Sequence, residues 1–184
     1  MTDAKIRIQQ VGKTFITALL AKRLIAEGMQ VGVYKPVASG CYQLGSDLVS
    51  EDAVTLWEAA GRPDSLEAVC PQRFAAPLAP PLAANLEGHQ IDSKLLRHGL
   101  EHWKKQADVV LVEGAGGWRV ALNHRETLAA LAVELNLPVI LVVGMKLGCI
   151  SHALLTADAI RADPGPSDSR SSRPTLSVGP GFAP

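Results

Sequence analysis

The chain has 184 residues, of which 47% are hydrophobic and 20% charged, and this predicts one packed globular domain rather than a disordered chain. The 18 Lys and Arg residues equal the 18 Asp and Glu residues, and only 4% of residues are aromatic, so neither the positive charge nor the base-stacking side chains of a nucleic-acid-binding protein are present. No apolar run approaches the roughly 18 residues of a membrane span, no signal-peptide pattern follows Met1, and the three cysteines form no C-x-x-C pair. We therefore expect a cytoplasmic protein that binds neither nucleic acid nor membrane.

The first half of the chain predicts a weak strand, a helix and a buried strand in that order. Within residues 4–10 two isoleucines alternate with polar residues, which indicates a half-buried edge strand at best. From Lys13 to Glu27 the apolar residues recur at helical spacing, and Val31–Tyr34 is a short apolar run typical of a strand buried on both faces. The segment from Cys70 to Pro81 holds four prolines, so we expect an ordered loop there rather than a helix or strand.

The second half predicts two more buried strands between amphipathic helices. Apolar residues follow helical spacing from Asp92 to Lys105, from Glu126 to Leu135 and from Ala153 to Ile160. Val109–Val112 and Val139–Val143 are the uninterrupted apolar runs expected of strands that helices cover on both sides. The alternation predicts an α/β fold, with a doubly wound, mostly parallel sheet, helices on both faces, and ligands at the carboxyl ends of the strands.

The end of the chain differs in composition from the rest. Pro, Gly and Ser dominate residues 163–184, and such a segment buries too little apolar surface to offset the entropy lost on ordering. We therefore expect an α/β domain over residues 1–162 and a disordered tail over 163–184. The sheet is then expected to be truncated on its C-terminal side.

The sharpest motif is Gly12-Lys13-Thr14, at the start of the first predicted helix. Backbone amides at a helix N-terminus and a lysine ammonium bind phosphates together, while the Thr14 hydroxyl is suited to ligate Mg²⁺. The alternative is a chance tripeptide before an amphipathic helix, because no glycine stands five or six residues before Gly12. The motif by itself leaves both interpretations equally open.

Two further motifs directly follow predicted buried strands. Glu113 stands where a nucleotide-bound Mg²⁺ needs an oxygen ligand, and Gly116 and Gly117 after it let backbone amides approach an anion closely. The alternative is a flexible Gly-rich turn with a solvated glutamate. The presence of the G-K-T motif in the same chain favours the binding site over this alternative. Lys35 ends another strand and is expected to enter the same crevice as Lys13, although a surface lysine is the commoner outcome at such a position.

Two more positions keep alternatives open. Asp52 lies near a predicted helix start, where it either complements the helix dipole or ligates Mg²⁺, and its position favours the dipole. Gly148 lies between the last predicted strand and the last helix. The amides after it could bind a carboxylate, while a plain connecting loop is the alternative.

Taken together, these motifs resemble those of the dethiobiotin synthetase family. From about Val11 to Ile160 the chain contains, in the family's order and at matching intervals, V-G-K-T, Y-K-P-V-A-S-G, S-E-D-A, V-E-G-A-G-G-W and P-V-I-L-V-V-G-x-K-L-G-C-I-x-H. The resemblance implies a P-loop NTPase-like α/β fold and a cytoplasmic homodimer. It also implies a ligase of biotin biosynthesis that uses MgATP to insert CO₂, supplied as bicarbonate, between the amino groups of 7,8-diaminononanoate, giving dethiobiotin through a carbamate and a phosphorylated carbamate.

The resemblance further implies a role for each residue of the matching motifs. Lys13 would hold the phosphates, and Lys35 would stabilise the carbamate and the transferring phosphoryl group. The implied nucleotide-binding residues are Gly12, Lys13, Thr14, Glu113 and Gly116. The implied Mg²⁺ ligands are Thr14, Asp52 and Glu113. The implied substrate-binding residues are Ser39, Gly117, Leu147, Gly148, Cys149 and Ile150, the last four at the interface with a second subunit.

The chain departs from the family pattern at both ends. The family's P-loop begins G-T-D-T-x-V-G-K-T, whereas residues 6–14 read I-R-I-Q-Q-V-G-K-T. After Ile160 the family continues with a helix–strand unit that includes the adenine-reading segment, where this chain has its Pro-, Ser- and Gly-rich residues. We interpret both departures as an altered reading frame or a misassigned start, and we expect weakened ATP affinity and reduced stability.

Two other functions fit the same motifs less well. One is a catalytically impaired homologue that acts as a binding or dimerisation protein. The other is a related P-loop amidoligase or a partition-type ATPase, ranked last because the partition type carries an additional lysine early in its P-loop. No lysine lies between Ile6 and Gly12.

Overall fold

The computed structural model describes residues 12–135 and 137–163, and in them helices alternate with short strands, which confirms the predicted α/β class. The helices are α1 Lys13–Ala26, α2 Glu51–Ala59, α3 Leu66–Val69, α4 Pro80–Leu86, α5 Ser93–Lys104, α6 Leu128–Glu134 and α7 Cys149–Ala162. The strands are β1 Val31–Tyr34, β2 Val37–Ala38, β3 Tyr42–Leu44, β4 Asp47–Val49, β5 Gln72–Arg73 and β6 Val109–Val112.

The parallel pair of β1 and β6 is the central feature of the fold, and both strands have the predicted bounds. Val31 lies opposite Val109 and Tyr34 opposite Val112, so the two strands end level with one another. All four residues of β1 are buried, whereas those of β6 are partly buried. The residues that follow the two strands therefore emerge side by side at one edge.

The remaining strands form two smaller pairs rather than extensions of one continuous sheet. Strand β2 pairs in parallel with β5, and β3 pairs with β4 as an antiparallel hairpin whose turn includes Gly45 at a φ of +61°. Within the described residues the pairing thus consists of three two-stranded units, two of them parallel. The expected parallel pairing is present, but in shorter pieces than a doubly wound sheet.

Helix α5 packs against β1 and holds that strand in place. Asp92 caps the helix, because its carboxylate accepts hydrogen bonds from the backbone amides of the first turn at 2.9 and 3.1 Å. Leu96, Leu100 and Trp103 recur along one face and are buried. The Tyr34 hydroxyl donates to the Leu96 carbonyl at 2.8 Å, so the end of β1 is fixed to the helix just before the site described below.

The prediction of a strand over Val139–Val143 is wrong for the described structure. Residues 137–145 form no strand, and the side chain of Ile140 is 66% exposed. An apolar, β-branched run has strand propensity, but a strand forms only where a neighbour accepts and donates its backbone hydrogen bonds. Among the described residues none pairs with this segment.

The prediction that the segment from Cys70 to Pro81 contains no helix or strand is wrong. It contributes β5, and beyond that strand the Phe74 amide donates to the Ala38 carbonyl while the Phe74 carbonyl accepts from the Cys41 amide, both at 3.0 Å. Helix α4 then begins at Pro80, since proline is tolerated in the first turn of a helix. The prolines therefore mark where the segment changes direction rather than a lack of structure.

The other predicted helices are confirmed, with ends that differ by one or two residues for α1, α5 and α6 and an earlier start for α7. The predicted edge strand within residues 4–10 lies outside the described residues. Apart from Asp163, so does the predicted tail over 163–184, and the domain division after residue 162 stays a prediction. None of the helices in the described residues is both long and apolar enough to cross a membrane.

Gly99 tests the packing of α5 on β1. A Cβ atom at this position would lie 2.7 Å from the Cζ atom of Tyr34. The Tyr34 ring is buried, and the hydrogen bond of its hydroxyl to Leu96 holds it in place. We expect Gly99→Ala to lower the free energy of unfolding by about 1–3 kcal/mol, although alanine has the better helix propensity. Urea denaturation measures the change. His98→Ala, at an exposed position of the same helix, is the control and should shift stability by less than about 0.5 kcal/mol. Unchanged stability of Gly99→Ala would contradict the packing.

Candidate active site

Lys35 and Glu113 stand side by side because they follow the two paired strands directly. The Glu113 amide donates to the Tyr34 carbonyl at 2.8 Å, which continues the ladder between β1 and β6 by one residue. The Lys35 amide donates to the Val69 carbonyl at the end of α3, also at 2.8 Å. Only 4% of Lys35 and 3% of Glu113 is exposed. Lysine and glutamate are almost never buried without a partner.

One carboxylate oxygen of Glu113 joins three elements of the fold. Its Oε1 atom accepts hydrogen bonds from the Lys35 ammonium and from the Thr14 hydroxyl, each at 2.8 Å. Lys35 also lies 3.0 Å from a carboxylate oxygen of Asp52, in the first turn of α2. The first turns of α1 and α2 and the ends of β1 and β6 therefore meet at one buried ion pair with a half-exposed third partner.

The ion pair keeps Lys35 charged. Burial lowers the pKa of Lys35, but the attraction of Glu113 and Asp52 outweighs it, so the pKa lies above its ordinary value. Because the pKa is raised in the folded protein, this pairing stabilises the fold fully below the ordinary lysine pKa near 10.4. That stabilisation is lost as the pH rises through the folded-state pKa.

The second carboxylate oxygen of Glu113 has no hydrogen-bond partner in the described residues, although it is buried. A buried carboxylate oxygen left in this way costs free energy unless a donor or a cation occupies its lone pairs. Thr14 is bonded to the other oxygen of this carboxylate, and Asp52 contacts Lys35, the partner of that same oxygen.

This donor set fits a nucleotide-bound cation better than an independent metal centre. No group of three or more His, Cys, Asp or Glu side chains that could hold a metal occurs in residues 12–135 and 137–163. Mg²⁺ in nucleotide sites takes one or two carboxylates, and phosphate oxygens and water complete its coordination. Glu113 and Asp52, with the Thr14 hydroxyl, match that requirement.

The side chain of Lys13 contacts the Gly-rich loop, residues 114–117, that follows β6. Its ammonium donates to the Gly116 carbonyl at 2.7 Å, and Gly116 adopts a left-handed φ of +67° that a side chain would disfavour. Gly12 is the N-cap of α1, with extended backbone, and having no side chain it contributes no side-chain oxygen to the amides of the first turn. The first turn of α1 therefore contacts the end of β6 through Thr14 and the loop after it through Lys13.

The other predicted site residues occupy three further places: the end of β2, the Gly-rich loop and the start of α7. The Ser39 hydroxyl donates to the Leu78 carbonyl at 2.6 Å, and Gly117 follows Gly116 in the loop. Gly148 caps α7 with a left-handed φ of +88°, and Leu147 and Ile150 beside it are largely exposed. No hydrogen bond among the described residues joins these positions, or Cys149, to Lys35 or Glu113.

Two features of the site could not be recognised from the residue pattern. The ion pair of Asp52 with Lys35 is a third possibility beside the dipole and metal roles considered for Asp52. Cys41 and Cys70 lie near enough to Lys35 for its charge to act on their thiols, but burial raises both pKa values, that of Cys70 to about 12. These thiols stay protonated, and their wide spacing in the sequence gives no sign of this position.

Known proteins match most of this chain in sequence. A family model described as an AAA domain matches residues 8–166. Over 153 residues the chain is 46% identical to the ATP-dependent dethiobiotin synthetase BioD of Aromatoleum aromaticum, which covers 83% of this chain and 68% of that protein.

A relative of the same name from Photobacterium profundum is 42% identical, over 84% of this chain and 70% of its own length. Another from Vibrio parahaemolyticus is 44% identical, over 83% of this chain and 67% of its own length. The chain belongs to the dethiobiotin synthetase BioD family. The family resemblance and the P-loop NTPase-like class expected from the motifs are thereby confirmed.

The ion pair can be tested through Glu113→Gln, which keeps the size of the side chain and removes its charge. Lys35 would then stay buried with only the half-exposed Asp52 opposite, so we expect the free energy of unfolding at pH 7 to fall by about 3 kcal/mol. Glu58→Gln, which removes the exposed partner of Arg62, is the matched control, with an expected change within about 1 kcal/mol. Chemical denaturation compares the two, and equally small losses would contradict the account of Lys35.

Proposed function

We propose that this chain catalyses the ATP-dependent formation of dethiobiotin from 7,8-diaminononanoate and CO₂, a step of biotin biosynthesis. The observation that carries the proposal is the meeting of Lys13, Lys35, Thr14 and Glu113 at the carboxyl ends of β1 and β6. The chain's membership of a family whose curated relatives bear this activity in their names supports it. No specific observation favours an inactive binding protein instead.

In the proposed reaction, the carbamate and the phosphates of ATP lie close together, and the protein must neutralise their negative charge. One amino group of the diamine takes up CO₂ as a carbamate, and a carbamate oxygen then attacks the γ-phosphate of ATP, releasing ADP. The second amino group attacks the carbamate carbon, and inorganic phosphate leaves as the ring closes. Such steps depend on positioning and charge stabilisation more than on general acid–base side chains.

The two lysines suit this task in different ways. Lys35 is buried and kept protonated by Glu113 and Asp52, so it would present a fixed positive charge to the carbamate and the transferring phosphoryl group. Lys13 is more exposed and bonded to the Gly116 carbonyl, and it would exchange that bond for the phosphates of ATP. The backbones of Gly12 and Gly116 would line the same phosphate site.

The site would use Mg²⁺ together with ATP. Glu113, through its Oε2 atom, which has no partner among residues 12–135 and 137–163, would hold the ion together with Thr14 and Asp52. When bound, Mg²⁺ neutralises charge on the phosphate oxygens. Lys35 and Thr14 already fix the orientation of the Glu113 carboxylate, so the free oxygen is held ready to ligate.

The substrate would lie between two copies of the chain. Met145, Leu147, Ile150 and Leu154 expose apolar side chains around the start of α7, and Ile150 and Leu154 share one helix face. A cluster of exposed apolar side chains of this kind is typical of an interface, and a homodimer would bury it.

In that dimer the amides from Leu147 to Ile150 would take the substrate carboxylate of the other subunit. Ser39 and Gly117 would contact the reacting amino groups. We place the enzyme in the cytoplasm, where its buried free thiols stay reduced.

The activity is tested by incubating the purified chain with 7,8-diaminononanoate, bicarbonate and MgATP, and by measuring dethiobiotin with mass spectrometry and phosphate release. We expect turnover by the unmodified chain and at least a roughly 100-fold lower kcat for Lys35→Met, because a preorganised charge of the site is lost. Lys22→Met, at an exposed position of α1, is the matched control and should keep the unmodified rate. Circular dichroism checks that each variant is folded.

A folded chain that binds MgATP and makes no dethiobiotin would contradict the proposal and favour a binding or dimerisation protein. Equal rates for Lys35→Met and the unmodified chain would contradict the role given to Lys35 alone.

A further inference from the structure

Arg97, on α5, joins two carboxylates that lie far from it in the chain. Its Nε and Nη2 atoms donate to the two oxygens of Glu134 at 2.8 and 2.6 Å, and Nη2 also donates to Glu126 at 2.9 Å. Nη1 donates to the Ser93 carbonyl of the same helix at 3.0 Å. The planar guanidinium thus ties α5 to the end of α6 and to the turn before α6, a geometry that a lysine cannot reproduce.

Glu126 is bonded on both of its oxygens. Oε2 accepts from the Ser93 hydroxyl and, at 2.9 Å, from the Asn123 side-chain amide, and the Asn123 side-chain oxygen accepts from the Glu126 amide at 2.9 Å. The Ser93 hydroxyl first, and then Arg97 and Asn123, lower the pKa of Glu126 to about 2, so it stays ionised at any working pH. The turn 123–126 is therefore fastened to α5 by a network in which the charges are paired.

The turn 123–126 also holds residues 120–122, the segment that follows the Gly-rich loop. The Leu122 amide donates to the Glu126 carbonyl, and the Leu128 amide donates to the Val120 carbonyl, both at 2.8 Å. Ala121 and Thr127 form an antiparallel bridge between these two bonds. Residues 120–122 thus lie along residues 126–128 in a fixed register.

The same residues pack onto the glycines of the loop. A Cβ atom on Gly116 would lie 2.8 Å from the Val120 side chain, and one on Gly114 would overlap the Leu128 side chain. The Gly116 carbonyl is the acceptor of the Lys13 ammonium. A continuous set of contacts therefore runs from the Arg97 network to the phosphate-binding lysine.

We propose that Arg97 is a positioning residue that holds the Gly-rich loop, residues 114–117, in place beside Lys13, so that the backbone of Gly116 lines the phosphate site, and that it thereby sets the affinity of the site for nucleotide phosphates. It acts through the turn 123–126, since it makes no hydrogen bond to Lys13, Lys35 or Glu113 in the described residues. The inference rests on the proposed function in one respect, that the phosphates belong to ATP.

The test compares Arg97→Met, Arg97→Lys and the control Arg23→Met, which removes a surface arginine whose one ion-pair partner in the described part of the chain is Glu27. We expect Arg97→Met to raise the KM for MgATP and the Kd for MgADP about tenfold while kcat stays within about twofold, since uniform binding is lost and the reacting groups are untouched. Arg97→Lys should rescue little, because it restores the charge and not the fork. Arg23→Met should match the unmodified chain.

The outcomes separate the inference from the proposed function. Unchanged KM and Kd in a folded Arg97→Met chain, or a lower kcat at constant KM, would overturn the positioning role, since a merely structural role reduces the amount of active protein and not its affinity. Weaker MgADP binding by Arg97→Met, with no dethiobiotin from any variant, would support the inference and overturn the proposed function. No MgADP binding by the unmodified chain would overturn both. If Arg97→Met does not fold, Glu126→Gln, which leaves the Arg97–Glu134 pair, is measured by the same criteria.

Discussion

The site depends on the carboxylate of Glu113. Its Oε1 atom is shared by the ammonium of Lys35 and the hydroxyl of Thr14, and its Oε2 atom has no partner among the described residues. The first oxygen fixes the side chain, and the second keeps its capacity for a cation. This division is possible because the parallel register of β1 and β6 ends both strands level and delivers Lys35 and Glu113 to the same buried place. A slip of either strand by one residue would turn the side chains of that strand to the opposite face and separate Lys35 from Glu113.

The chemistry that this arrangement supports is the neutralisation of charge. Two lysines of different exposure lie at this edge: Lys13 is bonded to Gly116 of the Gly-rich loop, and Lys35 is bonded to Glu113 just before it. The buried Lys35 stays protonated because its carboxylate partners outweigh the cost of burial. The nearby thiols of Cys41 and Cys70 have raised pKa values and therefore do not act as nucleophiles at neutral pH. This pattern agrees with a reaction in which anions must be gathered and oriented.

The sequence was sufficient to predict the central strands and the residues that follow them. Short apolar runs mark buried strands, and the carboxyl ends of parallel strands share an edge, so Lys35 and Glu113 could be placed together. The prediction of a strand over Val139–Val143 was wrong because strand propensity is a local property of the residues. A strand also needs a neighbouring strand to pair with, and sequence periodicity does not identify that partner. The Asp52–Lys35 pair and the Arg97 network could not be predicted either, because they join residues 17 to 37 positions apart through side-chain geometry alone.

The most direct test is a double-mutant cycle between Lys35→Met and Glu113→Gln, measured by chemical denaturation at neutral pH. If the two charges are buried against one another, each single variant leaves the other charge poorly compensated. The free energy of unfolding lost in the double variant should then be smaller than the sum of the two single-variant losses by at least about 1.5 kcal/mol. Losses that add within about 0.5 kcal/mol would show that the two groups do not depend on each other. That result would contradict the account of the site.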